Sequence, residues 1–374
     1  MTTYLNSLCF VNFMANRMQL LDARLQRVDA RTQTIFEASA AQRAVVQLAE
    51  EWWPSLVQMF GTEDAMFQRL GIDRMLFDEA LALVRDVAAP HRGRRARIRT
   101  NRERLLCLMV FLSKGIDTLE VLLTTVISTR SHIVETVKNI AQLFYNNLVD
   151  GAVGYNCEVD EVVPEASLVV DCTVCEIHRP KRPFDAAKVF FSGKHYIYAL
   201  KKEVMVNIRS GTAAVISKAY PGSVHDIIIL LEHAGAVNRL LGRRSLLADL
   251  GYRGAERDVP TTIVCGQGQR RLSAKRVIVE CYFGRLKLLW SVFTTTWKMS
   301  EDSFDVFFDI ACALTNLDIY HRPLRANDQA FNQGVMNAIR DRLAENAERR
   351  RDLNAEYRQR RRDRLGVGPL DGFL

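Results

Sequence analysis

Apolar positions three and four residues apart run through the first ninety residues: Leu20, Leu21 and Leu25, then Val45, Val46 and Leu48, then Leu76, Phe77, Ala80, Leu81 and Val84. This is the spacing of one buried helical face, and it predicts a helical N-terminal region over 1–90. Pro90 closes it, and Gly93 loosens the Arg-rich loop behind it. From Asn101 to Leu148 the pattern predicts three shorter helices, Arg102 to Ser113, Leu119 to Val126 and Ser131 to Leu148, with Gly115 ending the first. Asp117-Thr-Leu-Glu120 reads as a capping box for the second. Ser128 and Thr129 fall in the turn before the third.

Beyond Pro164 the period changes. Ser167 to Cys175 is an apolar run that reads as a buried strand, and His195 to Asn207 and Ala213 to Ala219 alternate well enough to be its neighbours. Asp226 opens an apolar helix expected to reach Leu241. Two short strands follow, Ser245 to Asp249 and Thr261 to Val264, then a helix from Ala274 to Leu289. Residues 303–320 form a hydrophobic helix, and 335–364 a charged, exposed one. Strand, strand, strand, helix, strand and a later helix is the order of a ribonuclease-H-like α/β domain, a mixed sheet flanked by helices. The expected organisation is a helical region at 1–90, a basic loop with a helix-turn-helix-like unit at 91–150, the α/β domain at 160–322, and a basic C-terminal helix and tail at 323–374.

Charge adds location to this outline. The 374 residues carry a formal net charge of +8. Seven Arg against Glu103 lie between 92 and 104, and ten Arg against six acids between 340 and 364, so these two stretches together exceed the net charge of the whole chain. The positive field is concentrated where a polyanion would be held. Arg92, Arg94, Arg95, Arg97 and Arg99 are candidate phosphate contacts, as are Arg130 and Lys138 on the third helix of the unit, whose spacing suits a helix entering a major groove. A solvated charged face is the alternative for each run. With 48% hydrophobic residues and no apolar run of membrane-spanning length, the chain reads as a soluble globular protein without a secretory signal. Its eight cysteines show no repeated spacing and suit a reducing compartment. Cys172-x-x-Cys175 followed by His178 invites a zinc reading. It is opposed by strand geometry, which turns residues three apart to opposite faces, and by the lack of a second ligand pair.

Four acids stand at positions that carry chemistry: Asp171 within the first strand, Asp226 at a helix start after Pro221-Gly222-Ser223, Asp249 at a strand end, and Glu280 inside a helix. A helix-start Asp is often only a cap and a strand-end Asp only a turn residue. Asp171 resists that reading, because a carboxylate amid Leu168, Val169, Val170 and Val174 is costly without a cation or partner. Phosphodiester cleavage gives such acids a purpose, since two cations about 4 Å apart, held by carboxylates, activate a water and stabilise the leaving oxygen. Arg276, Glu280, Gly284 and Lys287 share one helix face, a carboxylate between cations that suits a site beside a phosphate backbone. An ordinary surface Arg/Glu pair is the bland alternative.

Five blocks in order resemble PIF/Harbinger transposases: Asp171-Cys172-Thr173, Phe191-Ser192-Gly193-Lys194-His195-Tyr196, Pro221-Gly222-Ser223-Val224-His225-Asp226, Ala248-Asp249-Leu250-Gly251-Tyr252, and Val279 through Lys287. Phe111 to Gly115 and Ala311 to Asn316 resemble flanking blocks, so the likeness covers about 65–320. The resemblance implies a DDE triad of Asp171, Asp249 and Glu280, with Asp226 a further metal ligand. It also implies a ribonuclease-H-like fold, two Mg²⁺ or Mn²⁺ ions, and transposon-end and target duplex DNA as substrates, which Lys194, Arg276 and Lys287 would help to hold. A Myb/SANT-like accessory protein and a nuclear location, dependent on that partner for import and otherwise cytoplasmic, follow from the same likeness; a homodimer or larger assembly follows from the need to cut two ends in concert. Departures are Asp-Cys-Thr where Asp-Gly-Thr is usual, Thr315 before Asn316 where His is usual, and a slightly short stretch between Asp249 and Glu280. They leave open a domesticated descendant that binds DNA or a Myb-like partner without catalysis; a nuclease acting on RNA or hybrids is a further alternative, because it would share the same acids.

Overall fold

The computed structural model describes residues 52–325, except 89–97, 99, 124–126, 128, 156–159 and 267–269, together with scattered helical positions between 334 and 360. Residues 1–51, and Arg92, Arg94, Arg95, Arg97 and Arg99, lie outside the described residues. The chain divides into two compact units, 1–59 and 60–374. Of the first, only helix α1 (Trp52–Phe60) is described, its last residue already belonging to the second. The second unit holds the sheet.

That unit begins with α2 (Glu63–Leu70) and α3 (Arg74–Val84), capped by the side chains of Thr62 and Asp73. The three helices expected between 101 and 148 are α4 (Asn101–Lys114), α5 (Ile116–Leu123) and α6 (Arg130–Ala152). The capping box is not the expected one. Asp117 sits inside α5, and its carboxylate is taken by Arg130 at 2.8 Å and Lys298 at 2.6 Å, two cations that outbid orphan amides. The reciprocal pair forms one helix earlier: the Glu103 amide donates to Thr100 Oγ1 at 3.2 Å, and the Thr100 amide to Glu103 Oε2 at 2.9 Å. Every residue of α4 from Leu105 to Ser113 is buried, the signature of a core helix and not of a surface one.

Seven strands make a mixed sheet: β1 (Ala166–Glu176), β2 (Phe191–Ser192), β3 (Ile197–Asn207), β4 (Ala213–Ile216), β5 (Tyr220–Pro221), β6 (Ser245–Ala248) and β7 (Thr262–Val264). The order is β2-β3-β1-β6-β7, with β4 and β5 both paired to β3. β1 and β3 are antiparallel, whereas β1, β6 and β7 run parallel. Helices cover it, which agrees with a ribonuclease-H-like domain: α7 (Phe184–Lys188), α8 (Asp226–Glu232), α9 (Ala234–Leu241), α10 (Arg270–Leu289) and α11 (Phe304–His321). The single helix expected from Asp226 to Leu241 is two, broken at His233, whose Nε2 lies 3.0 Å from the buried Glu203 carboxylate.

Two devices hold these elements together. Phe293 stacks on Trp297 at 5.9 Å, Phe304 and Phe307 close around it, and Phe111 from α4 joins the cluster at 4.8 Å from Phe307. Asn316 on α11 is fully buried; its Oδ1 accepts from the Ala213 amide at 2.8 Å and its Nδ2 donates to the Ala152 and Ala213 carbonyls at 2.9 Å. One side chain thereby ties α11 to β4 and to the end of α6, satisfying backbone groups that burial would otherwise leave unpaired. No helix among the described residues is long and apolar enough to cross a membrane.

Candidate active site

Asp171 stands in β1 next to β6, where the parallel register pairs Val169 with Leu247. Two residues further on, that register brings Asp171 level with Asp249, the residue that follows β6. The Asp171 Oδ1 accepts from the Cys172 amide at 2.8 Å, and the Asp249 Oδ1 from the Gly251 amide at 2.8 Å. Among the described residues neither carboxylate has a cation or hydroxyl in hydrogen-bond contact. Burial pushes the Asp171 carboxyl up to about 6, and Asp249 and Asp226 add to it, while the Cys172 amide and the Arg276 charge pull the other way. Two acids side by side with only local amides for company are an arrangement folding alone would not favour.

The third aspartate arrives on a loop that glycine makes possible. A Cβ on Gly222 would stand 2.7 Å from the Phe190 carbonyl oxygen and 3.1 Å from that of Ala199, so only glycine lets the chain lie flat on β3. The Gly222 and Ser223 amides donate to the Ala199 and Val189 carbonyls, which pins the run leading to Asp226. A Cβ on Gly251 would lie 2.9 Å from Asp249 Oδ1 and 3.6 Å from Asp226 Oδ2, so both carboxylates face the same glycine. Asp226 is already paired: Lys201 Nζ is 2.8 Å from its Oδ1 and also donates to the Val224 carbonyl at 2.6 Å. Lys201 was not among the expected site residues; the available signal was the charged run Lys201-Lys202-Glu203 in the middle of an otherwise apolar strand.

Glu280 is the outlier. Its side chain is half exposed and bonded by Arg276, one turn earlier on α10, at 2.9 Å. Arg276 is the link to the rest, since its charge also acts on Asp171. No three of His, Cys, Asp and Glu among the described residues stand close enough together to hold a metal ion. The donor set nevertheless fits a hard divalent cation: among the described residues, Asp171 and Asp249 offer carboxylate oxygens not bonded to any cation. Asp226 and Glu280 would join by giving up Lys201 and Arg276.

Beneath the site Cys172 Sγ meets the Tyr252 hydroxyl at 3.3 Å, beside Glu203, whose carboxyl burial pushes up against the pull of His233 and Tyr252. Cys172, next to Asp171, thus packs on the tyrosine that follows Asp249 by three residues. Cys175 is buried on the same strand, and no zinc cluster forms with His178 among the described residues.

The expected DNA contacts divide. Arg130 is engaged by Asp117 and Glu120, and Lys138 donates to Ser300 Oγ at 2.9 Å, so both are tied into the protein. Lys287 reaches the Val174 carbonyl at 3.3 Å. Lys194 is exposed in the β2–β3 turn beside His195, whose imidazole pKa is lowered by burial and then by Lys194, Lys201 and Lys287, with Asp226 opposing. A cationic group therefore borders the aspartates on the β3 side.

Residues 170–316 match the family described as DDE superfamily endonuclease. The matched stretch contains Asp171, Asp226, Asp249 and Glu280 and ends on the cross-linking Asn316. It supports a DDE transposase-like nuclease. Neither a curated protein nor a solved structure matches the chain.

Proposed function

We propose that the protein is a PIF/Harbinger-type DNA transposase that cuts transposon ends and transfers the liberated 3′ strands to target DNA. The observation that carries this reading is the pair Asp171, in β1, and Asp249, level with it just past the end of the parallel neighbour β6, which among the described residues are bonded to backbone amides alone and lie within the stretch that matches the endonuclease family. Two Mg²⁺ or Mn²⁺ ions would be held by Asp171 and Asp249, with Asp226 and Glu280 completing the set, and would supply a nucleophilic water and charge stabilisation at the leaving oxygen. The chain's own part is to hold the DNA. Lys194, Lys287 and Arg276 border the acids and neutralise phosphates on either side of the scissile bond. Water cleaves the phosphodiester and frees a 3′ hydroxyl, which then displaces the 3′ oxygen of a target phosphodiester; no protein–DNA covalent bond forms. The helix-turn-helix-like unit, a Myb/SANT-like accessory protein, a homodimer that cuts both ends in concert, and a nuclear location belong to the same reading.

The test is cleavage of duplex DNA carrying the flanking element ends with Mg²⁺ or Mn²⁺, with and without a Myb-like partner, comparing wild type with Asp249→Ala. Cleavage by wild type and none by the variant is the expected result; equal cleavage by both would sink the assignment. One observation favours a domesticated binding protein instead: two of the four acids are already neutralised, Asp226 by Lys201 and Glu280 by Arg276. Intact DNA or partner binding without cleavage under any condition is the outcome that reading requires.

A further inference from the structure

The turn between β2 and β3, Gly193-Lys194-His195-Tyr196, ends in a residue that folding does not explain. Tyr196 has φ 57°, the only positive φ at a non-glycine position among the described residues. A bulky side chain in the left-handed region is strained, and glycine is the residue that removes the strain. The turn contains a glycine, but it is spent three positions earlier at Gly193. Nor does the ring repay the strain by burial, because Tyr196 is 81% exposed and, among the described residues, has no aromatic or cationic partner. The backbone holds it there firmly: the His195 and Tyr196 amides both donate to the Ser192 carbonyl, at 3.2 and 2.8 Å. Below the turn, Phe191 packs edge-on against Tyr198 at 5.5 Å and stiffens the hairpin that carries it.

The surroundings say what an aromatic ring held out in this way would meet. Lys194 and His195 precede it in the exposed turn; β3, which the turn opens, carries Lys201 with its Nζ 2.8 Å from Asp226, and the Gly222 amide, in the run leading to Asp226, is bonded to the Ala199 carbonyl of the same strand. The ring therefore projects from a cationic rim beside the aspartates. Cations along a strand of phosphates with a free aromatic face among them are how single-stranded nucleic acid is held, the cations tracking the backbone and the ring stacking on a base. A duplex offers no such face until a pair opens.

We propose that Tyr196 stacks on an unpaired DNA base next to the scissile phosphate, so that the β2–β3 turn reads an opened end and not an intact duplex. This rests on the DNA-cleaving reading of the aspartate site and adds a preference to it.

The experiment compares binding of the full chain to a fully paired duplex and to the same duplex with three unpaired bases at one end, by fluorescence anisotropy. A 2-aminopurine at the fork junction reports stacking. Wild type should prefer the forked DNA by about tenfold, the scale of one base stacked on one aromatic ring. Tyr196→Phe should keep that preference and the 2-aminopurine signal, since stacking needs the ring and not the hydroxyl. Tyr196→Gly should lose both while melting no lower than wild type, because glycine relieves the backbone strain, so unfolding cannot account for the loss. If Tyr196→Gly binds forked and paired DNA as wild type does, the stacking role is overturned and the nuclease reading stands untouched. If wild type binds neither DNA, both fall together.

Discussion

Lys201 and Lys202 are neighbours on β3, and strand alternation sends them to opposite faces, each to meet carboxylates. Lys202 is fully buried; its Nζ lies 2.7 Å from Asp305 and 2.9 Å from Asp309 on α11 and 5.4 Å from the centre of the Phe308 ring, and Tyr145 donates to the other Asp309 oxygen at 2.8 Å. Every buried charge there has a partner. Around Lys201 the balance differs: it satisfies Asp226, while Asp171 and Asp249 nearby have, among the described residues, amides alone. Both clusters place carboxylates in and under the sheet. The closed one is architecture; in the open one the described residues leave carboxylate oxygens without a cation.

The comparison breaks first at the open cluster. Asp171→Asn or Asp249→Ala is expected to lower DNA cleavage by at least about 10³-fold, measured under single-turnover conditions, with little change in folding stability. The closed cluster should behave the other way. Lys202→Met leaves Asp305 and Asp309 uncompensated and should cost about 3 kcal/mol in a denaturant titration; a variant as stable as wild type would show that the pair contributes no structure. Lys201→Met should cost only about 1 kcal/mol, because its partner is part-exposed, yet still impair cleavage.

Ion binding sharpens the contrast. Mg²⁺ or Mn²⁺ at roughly ten times its dissociation constant should stabilise the folded protein by about 1.4 kcal/mol, a shift of a few degrees in melting temperature. Asp249→Ala should show no shift, and an equal shift in both would place the ion elsewhere. A smaller effect is expected at Tyr145→Phe, about 1 kcal/mol for one hydrogen bond to a buried carboxylate. Smallest is Arg130→Ala, within about 1 kcal/mol because its ion pairs with Asp117 and Glu120 are part-exposed. It should leave the salt dependence of DNA binding unchanged, since that guanidinium is already spent. A flattened salt slope would return α6 to the DNA.

The strands were legible because β1 is apolar nearly throughout and β6 is a short apolar run, and period two or an unbroken run marks such segments whatever packs on them. Asp171 was legible for the same reason, as a charge where none belongs. Its pairing with Asp249 was implied only by the family resemblance: 78 positions apart in sequence, the two come level because β1 and β6 are parallel neighbours. The capping box was misplaced because Asp117 and Glu120 have the right spacing, but Arg130 and Lys298 reach Asp117 from outside the helix. Arg130 and Lys138 carry charge suited to DNA; that Arg130 pairs with Asp117 and Glu120, and that Lys138 bonds Ser300, was not announced by the sequence.

By itself the sequence determined the periods, the apolar runs, the order of the elements and the chemical types on offer, since these depend on neighbours within a turn or a strand. The tertiary structure alone decided which charges cancel. Coulomb and desolvation terms act through space, so identical residue types a single position apart on β3 became a structural tie at Lys202 and the edge of a candidate active site at Lys201.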